Sequence, residues 1–185
     1  MIAKTILLVE DEENDVFFFQ RAMKKAAVVN PLQVASDGQA AIDYLKGTGK
    51  FADRAKFPLP GLILLDLKLP YVMGLDVLKW IRQQPGFAMT VVILTSSRDQ
   101  GDIATAYRLG ANAYLVKPPE LNGLEDMVRA VSNFWLIHNT PSPEARSDRG
   151  LQTLETPHTK DFPNRHASPT NPPARLPSSR SPNDL

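Results

Sequence analysis

The stretch TILLVEDEEND, Thr5–Asp15, runs the apolar residues Ile6-Leu7-Leu8-Val9 straight into five acids, Glu10, Asp11, Glu12, Glu13 and Asp15. A short unbroken apolar run bounded by polar residues reads as a strand buried on both faces. Behind it, Val16, Phe19, Met23 and Ala26 step by three and four, which predicts a helix over 12–27 with one inward face. Carboxylates this crowded repel one another. A solvated turn, a helix start whose dipole favours Glu12 and Glu13, or a socket for a cation would each relieve them. Asp15 reads as ordinary helix surface.

The same strand-then-helix unit recurs along the chain. Strands are predicted at 32–35, 62–65, 91–94 and 113–116. Helices are predicted at 39–46, 75–83, 102–109 and 121–138, with Asp37-Gly38 and Gly110 as turn and stop signals. Five such repeats with continuously apolar strands predict an α/β fold, a parallel sheet covered by helices on both faces. A polar connection over 46–61 is longer than the others and reads as a surface insertion. Beyond His138 the pattern stops, and nine of the 16 prolines fall there. Residues 3–138 are therefore expected to form the domain, and 139–185 a Pro/Ser/Thr-rich disordered tail. Its Ser-Pro and Thr-Pro pairs read as biased composition rather than modification sites.

Residues 1–137 carry 15 basic and 15 acidic side chains. That balance favours neither nucleic acid nor an anionic membrane as a partner. The absence of cysteine removes disulfides, thiolate metal sites and thiol nucleophiles. The N-terminal apolar run is short of a signal peptide's ~7–15 residues. No segment reaches the ~20 apolar residues of a membrane span. A cytoplasmic protein is expected.

Four of the five predicted strands end on chemistry-bearing residues: Glu10-Asp11, Asp66, Thr95 and Lys117. Strand C-termini of an open parallel sheet share one edge, and ligands bind in the crevice outside it. Each residue alone has an ordinary explanation: Asp11 as a helix cap, Asp66 as a loop cap, Thr95 as a strand former, Lys117 as a solvated lysine. Together they make a set with a use. Three carboxylates suit a hard cation, Mg²⁺ above all, with Mn²⁺ as the alternative. The only histidines, His138, His158 and His166, lie at or beyond the end of the fold, so an imidazole site is not expected. A hydroxyl and an ammonium opposite the cation suit phosphoryl oxygens. Asp66, standing alone at the centre of the sheet, is the best candidate nucleophile for an aspartyl-phosphate. Glu10 and Asp11, being a pair, read better as metal ligands.

With these residues in hand, the chain resembles the response-regulator receiver domain, the phosphoacceptor half of bacterial two-component systems. The resemblance spans about 3–137 and rests on LLVEDEEND, LILLDLKLPYVMGLDVL, VVILTSS and LGANAYLVKP in the family's order and spacing. It implies a flavodoxin-like (βα)5 fold with strand order 2-1-3-4-5. It also implies that Asp66 is phosphorylated, that Glu10, Asp11, Asp66 and the Lys68 backbone carbonyl hold Mg²⁺, and that Thr95 and Lys117 bind the phosphoryl group. Thr95 and Tyr114 correspond to the family's switch pair, and Pro118 to a position that usually follows a cis peptide. Lys68 and Ser97 occupy positions that tune dephosphorylation. The implied partner is a sensor histidine kinase or phosphotransfer protein, with output by protein contact. The 46–61 connection and the ending VSNFWLIH resemble single-domain regulators paired with phytochrome-type kinases. The apolar cluster Phe134, Trp135, Leu136 and Ile137 either packs on its own core or serves a homodimer through the C-terminal helix and arm.

Two other readings meet the same residues. A haloacid-dehalogenase-type phosphatase would want an acid two residues after Asp66, where Lys68 stands. A receiver-like scaffold without phosphorylation would not need every site position to be chemically competent. The chain is therefore expected to be a phosphoacceptor and not a turnover enzyme.

Overall fold

The computed structural model describes residues 4–85, 87 and 89–140. The tail expected from 139 onward, with its Ser-Pro and Thr-Pro pairs, lies outside the described residues from 141 on. Five strands alternate with five helices: β1 Ile6–Val9, α1 Glu13–Lys25, β2 Leu32–Ala35, α2 Gly38–Lys46, β3 Leu62–Leu65, α3 Gly74–Gln83, β4 Val91–Thr95, α4 Gln100–Arg108, β5 Ala113–Val116 and α5 Leu121–Ser132. All strand pairs are parallel, in the order β2-β1-β3-β4-β5.

The strands are apolar at consecutive positions because both faces are covered. Ile6, Leu8, Leu62, Leu64, Val92 and Leu94 pack with Phe19, Ala22, Met23 and Val128 from α1 and α5. The alternate residues Leu7, Val9, Ile63, Leu65, Val91 and Ile93 pack with Ala41, Leu45, Val77, Leu78, Ile81 and Ala106 from α2, α3 and α4. Each fully buried Val, Leu, Ile, Phe or Met among them stabilises the fold by ~1.5–3 kcal/mol relative to exposure. Two helix starts are capped by aspartates: Asp37 Oδ1 accepts from Ala40 N at 2.6 Å and Asp99 Oδ1 from Asp102 N at 3.0 Å. Gly47 closes α2 in the left-handed region at φ 71°.

The long connection after α2 is a packed structure rather than a loose surface loop. Tyr44, Phe51 and Phe57 meet with ring centroids 5.2–6.0 Å apart, and Tyr44 and Phe51 are buried. Arg54 donates to the carbonyls of Tyr44, Leu45 and Phe57, so one guanidinium satisfies the end of α2 and ties the connection to it. The last helix departs from the predicted uniform run to His138. After Ser132 it widens into a π-helical turn, Asn133–His138, with Asn139 N donating to Phe134 O at 2.7 Å. The terminal apolar cluster divides there: Trp135 and Leu136 pack on the α1/α5 side of the core, whereas Phe134 and Ile137 are 55% and 69% exposed.

Candidate functional site

Register builds the site. Val9 pairs with Leu65, so the next residues, Glu10 and Asp66, emerge side by side at the ends of β1 and β3. Thr95 pairs with Val116, and Lys117 N donates to Thr95 O at 2.8 Å, which brings the lysine to the same edge. Glu10, Asp66 and Thr95 are buried, with exposures of 2%, 6% and 0%.

The carboxylates of Glu10, Asp11 and Asp66 each present an oxygen within 4.8 Å of the others. Three hard oxygen donors with no imidazole or sulfur among them fit a Mg²⁺-class cation. Asp66 is held at both ends: Oδ1 accepts from Leu67 N at 2.6 Å, and Oδ2 faces Lys117 Nζ at 3.2 Å. Two glycines keep its loop close-packed. A Cβ on Gly74 would stand 2.0 Å from Asp66 O, and one on Gly38 2.0 Å from Val72 O.

Lys117 is the cation in direct contact with these acids. Its ammonium donates to Glu10 Oε2 at 2.5 Å and Asp15 Oδ2 at 2.7 Å as well as to Asp66. An ammonium has three donors, and all three are engaged. Burial works against the charged lysine, but hydrogen bonds to Asp15 and Glu10 and the charge of Asp66 outweigh it and raise its pKa. Burial pushes Glu10 up to about 7; Lys117 opposes this, while the charges of Asp66 and Asp15 add to it. Apart from these shifts, Glu10, Asp11, Asp15 and Asp66 crowd the strand ends about Lys117, an excess of negative charge that a divalent cation would relieve.

Thr95 Oγ1 accepts from Ser97 N at 3.3 Å. Ser97 extends the link: its Oγ donates to Asp102 Oδ2 at 2.7 Å, in the first turn of α4, and its carbonyl accepts from Tyr114 OH at 3.1 Å. Thr95, Tyr114 and α4 thus meet at one serine. Lys68 presents an exposed side chain beside Asp66, and its backbone N lies 3.4 Å from Asp66 Oδ1.

Two expectations are corrected. The Lys117–Pro118 peptide is trans, as no cis bond occurs among the described residues. Trans is the lower-energy isomer by ~0.5–1 kcal/mol even before proline, and Lys117 reaches its three acids from it. Asp15, expected on ordinary helix surface, is instead a direct partner of Lys117. The signal was present: Asp15, Phe19, Ala22 and Met23 follow the i, i+4, i+7, i+8 spacing, so Asp15 continues the inward stripe of α1 one turn toward the strand ends.

A family model described as the response regulator receiver domain matches residues 6–129. Response regulator Rcp1 from Synechocystis sp. is 39% identical over 134 residues, covering 72% of this chain and 89% of that protein. Among solved structures, the Mn²⁺-bound form of Rcp1 is similar with a TM-score of 0.67 at 38% identity, over 75% of this chain and 98% of that one. The phosphorylated cyanobacterial phytochrome response regulator RcpA is similar with a TM-score of 0.70 at 35% identity, over 76% and 99%. The bacteriophytochrome response regulator AtBRR gives 0.60 at 40% identity, over 75% and 99%.

Proposed function

This chain belongs to the response-regulator receiver-domain family, and from that premise we propose that it accepts a phosphoryl group on Asp66 from a phosphohistidine. The donor is a sensor histidine kinase of phytochrome type or its phosphotransfer protein, and the reaction is Mg²⁺-dependent, with Mn²⁺ able to substitute. The observation that carries this reading is the surroundings of Asp66. A buried carboxylate at the end of the central strand has a lysine ammonium on one oxygen, a backbone N–H on the other, and two further acids within metal-sharing distance.

Glu10, Asp11, Asp66 and the Lys68 carbonyl would hold the cation, which when bound supplies positive charge to phosphoryl oxygens. An Asp66 oxygen attacks phosphorus. The P–N bond to the donor imidazole breaks, its nitrogen keeps the electron pair, and an acyl phosphate forms. Lys117 and Thr95 donate to the phosphoryl oxygens. Thr95 gives up its contact with Ser97 N in doing so, and the Ser97 linkage carries that change to Tyr114 and α4. The altered α4-β5-α5 face then shifts affinity for a protein partner, a redistribution between two states rather than a new fold.

The donor is expected to dock beside the site, where Phe17 and Phe18 of α1 are 58% and 42% exposed and Phe18 lines a cleft of about 580 Å³ together with Glu10, Asp15, Arg98, Lys117 and Pro118. A homodimer through α5 and the following turn is the assembly that the exposed Phe134 and Ile137 favour. In this account 3–138 is the receiver domain, 139–185 an appended tail, and the protein works in the cytoplasm as a phosphoacceptor without turnover. Among the described residues no helix is long and apolar enough to cross a membrane. Incubation with a phosphorylated histidine kinase in Mg²⁺ tests the reading. Wild type should gain acid-labile phosphate and Asp66→Asn should gain none; equal labelling of the two would refute the assignment.

A further inference from the structure

Asp15 is a side chain for which the phosphoacceptor reading has no use, yet it makes a closer contact with Lys117 than Asp66 does, 2.7 Å against 3.2 Å. It stands in the first turn of α1 with its side chain 43% exposed, whereas the lysine it holds is 14% exposed. Helix surface acids usually point to water; this one spans to a residue 102 positions away.

The acceptors of Lys117 fall into two kinds. Glu10 and Asp66 belong to the carboxylate triad with metal-sharing geometry, and Asp15 does not. Once Glu10 and Asp66 direct oxygens to a cation, the hydrogen bonds they offer Lys117 weaken at the moment the ammonium is needed. Lysine is a flexible point charge on a four-carbon stem, so without another anchor it is free to leave toward solvent. Asp15 keeps its lone pairs for the lysine throughout. It also leaves the other two N–H bonds free for phosphoryl oxygens.

Resting on the phosphoacceptor reading above, we propose that Asp15 is a positioning residue for phosphoryl transfer. It is the dedicated counter-ion that keeps the Lys117 ammonium over Asp66 when the metal triad is engaged. It acts through Lys117 and touches neither metal nor phosphorus. The alternative geometry, in which Asp15 draws Lys117 away from Asp66 and must release it, makes the opposite prediction.

The test uses the whole 185-residue chain with Asp15→Asn, Asp15→Ala and Asp15→Glu. The first readout is the Lys117 side-chain ammonium resonance, observed by ¹H–¹⁵N NMR with saturating Mg²⁺ and no phosphodonor. It should persist in wild type, vanish through solvent exchange in the Asn and Ala variants, and return with Glu. The second is the rate constant for phosphorylation by acetyl phosphate at saturating Mg²⁺. Loss of one charge-assisted bond should lower it more than about fivefold in Asn and Ala, with recovery in Glu. The third is Mg²⁺ affinity by calorimetry, which should weaken less than about fivefold, since only a neighbouring charge is lost. A rate that rises or falls by less, an ammonium signal that survives in Asp15→Asn, or a larger loss of Mg²⁺ affinity would each overturn the proposal. Thermal melts accompany each variant, and Asp15→Asn, which preserves size, decides the matter if Asp15→Ala is unstable. In the same assay, failure of wild type to incorporate phosphate would sink the parent reading. Incorporation in wild type with equal rates in the Asp15 variants would sink only this inference.

Discussion

Removing divalent cations should make this fold lose stability as pH rises from 5 to 7, the reverse of ordinary acid denaturation. The cause is Glu10, whose burial raises its pKa from the usual 4.5 to about 7 despite the Lys117 contact. Between those values the folded chain holds a proton that the unfolded chain has released. Stability therefore falls with a slope of ~1.4 kcal/mol per pH unit in that window. The contribution is fully present below 4.5 and is lost as pH passes through about 7; the difference of 2.5 units corresponds to about 3 kcal/mol in total. Lys117 does not interfere, because a lysine with raised pKa keeps its contribution everywhere below the usual 10.5. A cation on the triad requires the Glu10 carboxylate, so the apparent affinity for Mg²⁺ should strengthen about fivefold between pH 6 and 7. Urea unfolding at pH 5, 6, 7 and 8 in EDTA reads the slope, and Glu10→Gln should flatten it. A metal-free stability that is constant or rises from pH 5 to 7, or a decline that persists in Glu10→Gln, would refute the reasoning.

Other perturbations follow from the packing. Arg82 ties α3 to the edge of the sheet, donating at 3.0 Å to Gly110 O, Met89 O and Asn112 Oδ1. Arg82→Ala should cost about 2–4 kcal/mol in chemical denaturation, and Arg82→Lys should recover less than half, because a lysine cannot span the three acceptors. Gly74→Ala puts a methyl 2.0 Å from Asp66 O. The backbone must move, lowering stability by about 1–3 kcal/mol and slowing phosphoryl uptake in the acetyl phosphate assay. Arg54→Ala removes the bonds to Tyr44, Leu45 and Phe57 carbonyls. It should cost roughly 1–3 kcal/mol and speed amide exchange in the 48–60 connection, with phosphoryl uptake unaltered.

Strand positions were legible because their signal is local. Leu32–Ala35, Leu62–Leu65 and Ala113–Val116 are bounded by turn residues, and burial on both faces leaves no polar residue inside β1 or β3, and none in β4 before its last residue, Thr95, to blur them. The convergence of Glu10, Asp11, Asp66, Thr95 and Lys117 was legible for a related reason: parallel topology sends every strand end to one edge, whatever the loops do. What escaped depends on side-chain reach and on contacts distant in sequence. Asp15 looked like one more acid in a helix start until Lys117 arrived from 102 residues downstream. Ser97 stands out in sequence only at a position that tunes dephosphorylation, and the fold alone sets it between Thr95, Asp102 and Tyr114. The connection at 46–61 reads as a polar stretch because its order comes from Arg54 and three aromatic rings, with no periodicity behind it. The widening of the last helix at Asn133 has no marker in its residues, and the division of Phe134-Trp135-Leu136-Ile137 into packed and exposed pairs follows from that turn.

The central claim is that Asp66 carries the phosphoryl group. Reductive trapping with borohydride after incubation with acetyl phosphate and Mg²⁺ converts an aspartyl phosphate to homoserine, which mass spectrometry locates by residue. The account predicts homoserine at position 66 and at neither Asp11 nor Asp15, and no reduced glutamate (5-hydroxynorvaline) at Glu10. Homoserine at position 11 or 15, or none anywhere while phosphate is taken up, would contradict it.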